Sequence, residues 1–397
     1  MIEDSDRASK PYSVGFRFLN QMANEHIVPQ AYLQNFAPDG EGLISRYSLL
    51  DEHEGGDYHP PRDRYPIRKA ASYENFADGL LESGETNIAE REMINTIRDI
   101  LDGKVLSAKD VPGVSSFISF QTTRSINSRL YYSAKERLPL DEFNEGVQDW
   151  FSAISYNTSE GHTLLQYMGW VLVENKTDLP FFTSDEPVVE GQGTQFDNVD
   201  TTAKELIGRQ IFCPIGPDHL LLLLDPTIYD VDGLLWELEP EEDIQQLPDE
   251  MFTRVEVTDR NEVWKFNLLQ PLNAYREVFA PVGNGERLER AVERLCSAFP
   301  DDDFVRGNTP DFEKMLQAYT IAASGPNSPE QREWYLREGS DIISSRGKKV
   351  RALEQFSHSI SLISDLEMKS PDVEYWDEIV EVIGQVSSEQ YLDAESL

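Results

Sequence analysis

Basic residues are scarce in this chain, and lysine is the scarcest of them. Its 397 residues carry 35 Lys and Arg against 72 Asp and Glu, a formal net charge of −37, and only 12 of the cations are lysines. At low ionic strength such an imbalance destabilises the compact state through self-repulsion. In molar salt the screening length falls to about 3 Å, and an acidic, well-hydrated surface then keeps a protein dissolved. The composition therefore predicts a haloarchaeal-type, salt-accumulating cytoplasm, with counter-ions as constant partners of the surface. The same charge disfavours tight nonspecific binding of nucleic acid, so any phosphate contact has to be local.

Long apolar runs are missing too. The longest, Leu220 to Leu224, has five residues, far short of the roughly 20 a bilayer span needs. Met1 to Lys10 is polar and acidic, without the apolar centre of a signal peptide. A cytoplasmic protein with no membrane partner is expected. Cysteine is almost absent: Cys213 and Cys296 stand alone, with no CxxC spacing. That leaves a disulfide framework or a cysteine zinc site unsupported, and two free core thiols are expected. P-loop, GxSxG, HExxH and Rossmann fingerprints are also lacking.

What is present suffices for a core. Hydrophobic residues make up 39% of the chain, with 19 Phe, 16 Tyr and 6 Trp. The length suits one large or two ordinary domains. Residues 1–24 read as a polar lead-in. His26 to Ala37 then sets a histidine ahead of a short helix in which Pro29 occupies the first turn. In that helix Tyr32, Leu33 and Phe36 share one face. A strand is expected over Leu43 to Leu49 and a long loop over Asp51 to Arg68. The loop carries a basic island, Pro60 to Lys69, that fits either a phosphate-binding mouth or ordinary surface pairing.

Helical periodicity follows over Thr86 to Leu101, with Ala89, Met93, Ile97 and Ile100 on one face and Glu85 and Glu92 on the other. A second helix runs from Asp110 to about Lys135. Its core-facing sector holds Val114, Phe117, Ile118, Gln121, Ser125 and Tyr132, with Arg124 at the edge. An amide and a guanidinium beside an apolar stripe are costly unless paired. They are either internal braces or the wall of a polar pocket. Another helix is expected over Leu140 to Tyr156. The period then changes: Gly169 to Val173 and Pro180 to Thr183 read as strands, and Arg209 to Cys213 with His219 to Leu224 as a hairpin. Leu220 to Leu224 has the texture of a strand covered on both faces. A helical segment spans Asp259 to Phe279, kinked at Pro271.

Residues 301–397 read as a helical extension able to contact a protein partner, with a second basic island at Arg346 to Arg351. Strands lying between helical regions imply an α+β fold, with a central, mainly antiparallel sheet packed with helices in a core domain over 25–300.

Four of these stretches resemble, in order, the pattern of the domain-of-unknown-function 4238 family. They are His26 to Ala37, Phe117 to Arg124, Phe182 to Pro187, and Phe266-Asn267 leading to Ala274 to Val278. The chain departs from the pattern after Arg124, where Ser125-Ile126 replaces a frequent Thr-Pro. The resemblance brings positions without a reaction, because the family has no established activity.

The polar residues at those positions define the candidate site. A histidine ahead of a helix can serve as general base or metal ligand. Gln121 and Arg124 can orient and neutralise a phosphate or carboxylate. Asp185 follows a strand in a turn, where functional groups are readily presented. These four are the catalytic candidates, Asn267 and Arg276 the substrate-binding ones. A divalent metal such as Mg or Mn would draw on Asp185 and Glu92. The set fits a phosphodiester hydrolase, a nuclease or nucleotide hydrolase of the kind used in toxin or defence systems. It equally fits a non-catalytic binding or regulatory module in which Asp185 closes a turn and Arg124 is a brace.

Overall fold

The computed structural model describes residues 24–37, 40–49, 61–74, 84–104, 110–125, 128, 163–192, 207–229, 253–274 and 276–298. The lead-in over 1–23, the helix expected over 140–156, the side chains of Tyr132, Glu85 and Cys296, and the extension with its second basic island lie outside the described residues.

In chain order, β1 (Asn24–His26) leads into α1 (Gln30–Leu33), which tightens into a 3₁₀ turn, Gln34–Phe36. Pro29 stands at the N-cap of α1, one position before the first turn, where its missing N–H costs nothing. Strand β2 (Leu43–Ser48) follows, then β3 (Arg62–Pro66), a second 3₁₀ turn (Ile67–Lys69) and β4 (Ser72–Glu74). The loop expected over Asp51 to Arg68 thus contains a strand. Its Pro66 is tolerated because β3 is an edge strand, where one N–H can be spared.

Helix α2 (Gly84–Leu101) buries Ile94, Ile97 and Ile100, and Met93 lies at the margin of that stripe. Helix α3 (Val111–Thr123) is capped at its C-terminus by Arg124. Ser128 is again helical, and the rest of the helix expected to about Lys135 lies outside the described residues. The core sector of α3 is as expected, with Val114, Phe117, Ile118 and Gln121 all buried, and Ser125 just beyond the helix is buried too.

Strands β5 (Gly169–Asn175), β6 (Thr183–Ser184), β7 (Val189–Gln192), β8 (Arg209–Gly216), β9 (His219–Leu224) and β10 (Thr253–Val257) come next. The strand expected over Pro180 to Thr183 is reduced to its last residue plus Ser184, because the N–H groups of Phe181 and Phe182 go to the Pro217 carbonyl and to Asn267 Oδ1 rather than to a ladder. Helix α4 (Arg260–Asn273) carries Pro271 without interruption, and Asp259 caps it by accepting from Asn261 N. The helical reading beyond Asn273 is overturned. Ala274 is extended, and β11 (Glu277–Ala280) begins three residues later, followed by α5 (Gly285–Ala298).

The strands form a five-stranded sheet in the order β10-β5-β9-β8-β7, a four-stranded sheet β3-β2-β11-β6 and the small pair β1-β4. Among the described strands only β10 and β5 run parallel; every other pairing is antiparallel. With helices packed on these sheets the fold is α+β. In the large sheet β9 is flanked on both sides, and Leu220 to Leu224 are buried on both faces. Helix α4 touches β6, β7, β10 and β11 and so ties the two larger sheets together, while α1 packs against α2 and the Ile67–Lys69 turn. Among the described residues no helix is long and apolar enough to cross a membrane.

Candidate functional site

The end of α3 grips the chain just before α1. Gln121 Nε2 donates to the carbonyl of Ile27 at 2.8 Å, and Arg124 Nη2 donates to the carbonyl of His26. Two consecutive carbonyls are therefore held by two side chains one helical turn apart. Arg124 is 1% exposed. Its Nη1 pairs with Glu90 of α2, and its guanidinium lies over the Phe120 ring at 5.0 Å. A buried guanidinium requires this degree of pairing. Even so, Arg124 Nε and Gln121 Oε1 have no hydrogen-bond partner among the described residues.

His26 is fixed through both ring nitrogens. Nε2 donates to the carbonyl of Arg68 at 3.1 Å, and Nδ1 accepts from Gln30 Nε2 at 3.3 Å. This pattern matches the neutral Nε2–H tautomer, with its basic lone pair on Nδ1. Gln30 is an exposed residue and this bond, at 3.3 Å, is long and only partly buried.

A half-open cleft of about 440 Å³ lies between α1 and α2. His26, Gln30, Glu90, Arg91, Arg98 and Arg124 line it. Among the described residues three guanidiniums face one carboxylate there, an excess of two positive charges in a chain whose net charge is −37. Arg98 Nη2 also donates to the carbonyl of Ala31, which fixes it against α1. Arg91 is exposed and has no ion-pair partner among the described residues. Arg91 and Arg98 lie seven positions apart, two turns along one face of α2. Sequence reasoning missed these two and Gln30. Their signal was present, but choosing that face required knowing that α2 lies across α1.

The remaining candidates sit elsewhere. Asp185 is fully buried, and its Oδ2 accepts from the backbone N–H groups of Arg276 (2.8 Å) and Glu277 (3.1 Å). Arg276 is half-buried and contributes its backbone N–H to that arrangement. Asn267 Oδ1 accepts from Phe182 N and its Nδ2 donates to the Pro180 carbonyl, both at 2.8 Å. Gln270 bonds Ser184 Oγ and the Pro187 carbonyl, and Asn273 donates to the carbonyls of Glu186 and Val188. Three amides spaced three apart on α4 thus strap the Phe182 to Val188 turn in place. None of Asp185, Asn267 and Arg276 lines the cleft, nor does Gln121.

The candidate metal ligands differ in environment, since Asp185 is fully buried and Glu92 is exposed on α2. Among the described residues no group of three or more His, Cys, Asp or Glu side chains could hold a metal ion. These two carboxylates do not fit a shared metal site, and no step is routed through one.

Residues 24–281 match a family described as a protein of unknown function, DUF4238. The match covers more than half of the chain, and the chain belongs to that family. No curated protein and no solved structure matches it.

Proposed function

We propose that this DUF4238 member binds a phosphate-bearing ligand in the cleft between α1 and α2 and hydrolyses its phosphoester bond, with His26 as the general base. The observation that carries the reading is the excess of guanidinium over carboxylate at that one cleft of a strongly acidic chain. Arginine's planar fork suits the paired oxygens of a phosphate. Arg91 is solvent-facing and Arg98 is braced, so one can adapt to the ligand while the other stays fixed.

In the proposed reaction Gln30 swings away and a water takes its place at His26 Nδ1. The water's oxygen bonds to phosphorus as its proton passes to Nδ1. The ester P–O bond breaks, and the leaving oxygen takes the electron pair and is protonated by solvent. The Arg68 carbonyl keeps the Nε2 proton, which holds the reactive tautomer and stabilises the imidazolium once formed. Arg91 and Arg98 neutralise charge on the phosphoryl oxygens. Gln121 and Arg124 act as positioning residues through the carbonyls of Ile27 and His26, and Asp185, Asn267 and Arg276 hold the fold. The −37 charge and the twelve lysines support placing this reaction in a salt-rich cytoplasm.

A second reading rests on a specific observation: Gln121, Arg124, Asp185 and Asn267 all bond to backbone. A binding module without turnover would show the same braces. Hydrolysis of bis(p-nitrophenyl) phosphate at molar KCl, with and without Mg²⁺ or Mn²⁺, separates the two. His26→Ala is expected to lower the rate about 10²–10⁴-fold while AMP still binds. Binding of AMP without turnover by the wild type would favour the module, and absence of both would overturn the reading.

A further inference from the structure

The cationic surface does not stop at the cleft. The carbonyl that fixes His26 belongs to Arg68, which with Lys69 forms the last turn of the 3₁₀ segment packed against α1. Both side chains are exposed, and neither has an ion-pair partner among the described residues. Pairing is common on the rest of this surface. Arg64 pairs with Glu41, Lys104 with Asp99 and Asp110, Lys176 with Glu174 and Glu256, and Arg254 with Glu174. In a chain with 72 carboxylates, two adjacent cations without an ion-pair partner among the described residues, beside an arginine-lined cleft, are unlike their surroundings. Backbone geometry makes the two features neighbours, because one residue supplies both the His26 anchor and an outward guanidinium.

We propose that Arg68 and Lys69 continue the cleft into a track for a phosphodiester chain, so that the ligand is a single-stranded oligonucleotide. This rests on the phosphate-binding reading of the cleft and narrows it. A cavity of about 440 Å³ is at the small-ligand end of binding-site sizes. It accepts one nucleotide-sized unit, and only a flexible single strand can place one phosphate there while its neighbours run across the adjacent turn. Among the described residues no Phe, Tyr or Trp lines the cleft, so recognition rests on the backbone phosphates and is tolerant of base sequence.

The test compares wild type, R68Q/K69Q and Arg91→Ala using two probes: AMP, and a fluorescently labelled twelve-nucleotide oligo(dT) or oligo(U), titrated across a range of KCl in which the fold is retained. The double variant keeps the Arg68 carbonyl and therefore the His26 anchor. With two phosphate contacts at about 0.7 each in the logarithmic salt slope, its slope for the oligonucleotide is expected to fall by about 1.4. That corresponds to binding about 25-fold weaker at 0.1 M salt, referred to 1 M. AMP affinity stays at the wild-type value, whereas Arg91→Ala weakens both probes. An unchanged oligonucleotide slope in R68Q/K69Q, with AMP still bound, would overturn the track and leave the cleft reading standing. Failure of the wild type to bind either probe would overturn both.

Discussion

Arg124 shows how far single residues can be read from sequence. Its position beside the core sector of α3 announced a charged group in need of partners, and the structure supplies Glu90, the His26 carbonyl and the Phe120 face. That Arg124 is both braced and part of the cleft lining was not legible, because those partners lie 34 and 98 positions away. Asp185 is the converse case. Its turn context resembled that of a presented functional group, yet its carboxylate points at backbone donors. His219 offers a test at this scale. Burial pushes its imidazole below the ordinary 6.5, against a weaker upward pull from Glu174 and Asp218, while Lys176 and Arg254 act in the same direction as burial. The unfolded chain then takes up a proton near pH 6.5 that the folded chain refuses. Stability contributed by His219 is complete above that pH and falls as pH drops toward the depressed folded value. Urea denaturation between pH 7.5 and 5 is expected to show this slope, and His219→Asn to flatten it. Glu174, held below the usual carboxylate range by bonds to Lys176 and Arg254, adds a separate loss only below about pH 4.5.

Among elements, those with a clean period were legible: α2, the core face of α3 and the β8–β9 hairpin. The misread ones were set by context. β3 looked like loop because Asp63 and Pro66 sit in it, but an edge strand tolerates both. β11 looked like a continuation of α4 because apolar residues follow the helix with little punctuation. Its identity depends on pairing with β2 and β6, from segments nearly a hundred positions or more upstream. Glu277 at its start joins three elements. Its Oε1 pairs with Arg46 of β2 at 2.6 Å, and its Oε2 accepts from Ala71 N at 2.8 Å, where Ala71 has a left-handed φ of 48°. Arg46 and Glu277 are both buried, so removing one charge strands the other. Glu277→Gln is expected to destabilise the fold by about 3 kcal/mol, measured as a fall in the urea midpoint at constant m. Because Ala71 borders the turn that anchors His26, phosphoester turnover by the residual folded protein should fall as well.

At the scale of the whole molecule, the α+β class was readable because no repeating βαβ unit occurs. The division into two larger sheets was not. It depends on α4 inserting its amides beneath a turn some eighty residues upstream, and on one parallel pair, β5 with β10, whose strands are separated by 77 intervening residues. The surface charge was legible throughout, and it predicts behaviour in salt. Raising KCl from 0.1 to 3 M is expected to stabilise the protein by a few kcal/mol, each worth about 2–4 °C in Tm for a domain of this size. A Tm that is flat or falls over that range would remove the salt-adapted reading without touching the site.

The central claim concerns one cleft, and it is tested most directly by calorimetric titration of AMP into the wild type and into Arg91→Ala at molar KCl. Arg91 lies at the surface, so the variant should fold as the wild type does. The account predicts saturable binding to the wild type and affinity about tenfold weaker in the variant, the loss expected for one charge-assisted hydrogen bond. Equal affinity in the two proteins, or no binding to the wild type, would contradict it.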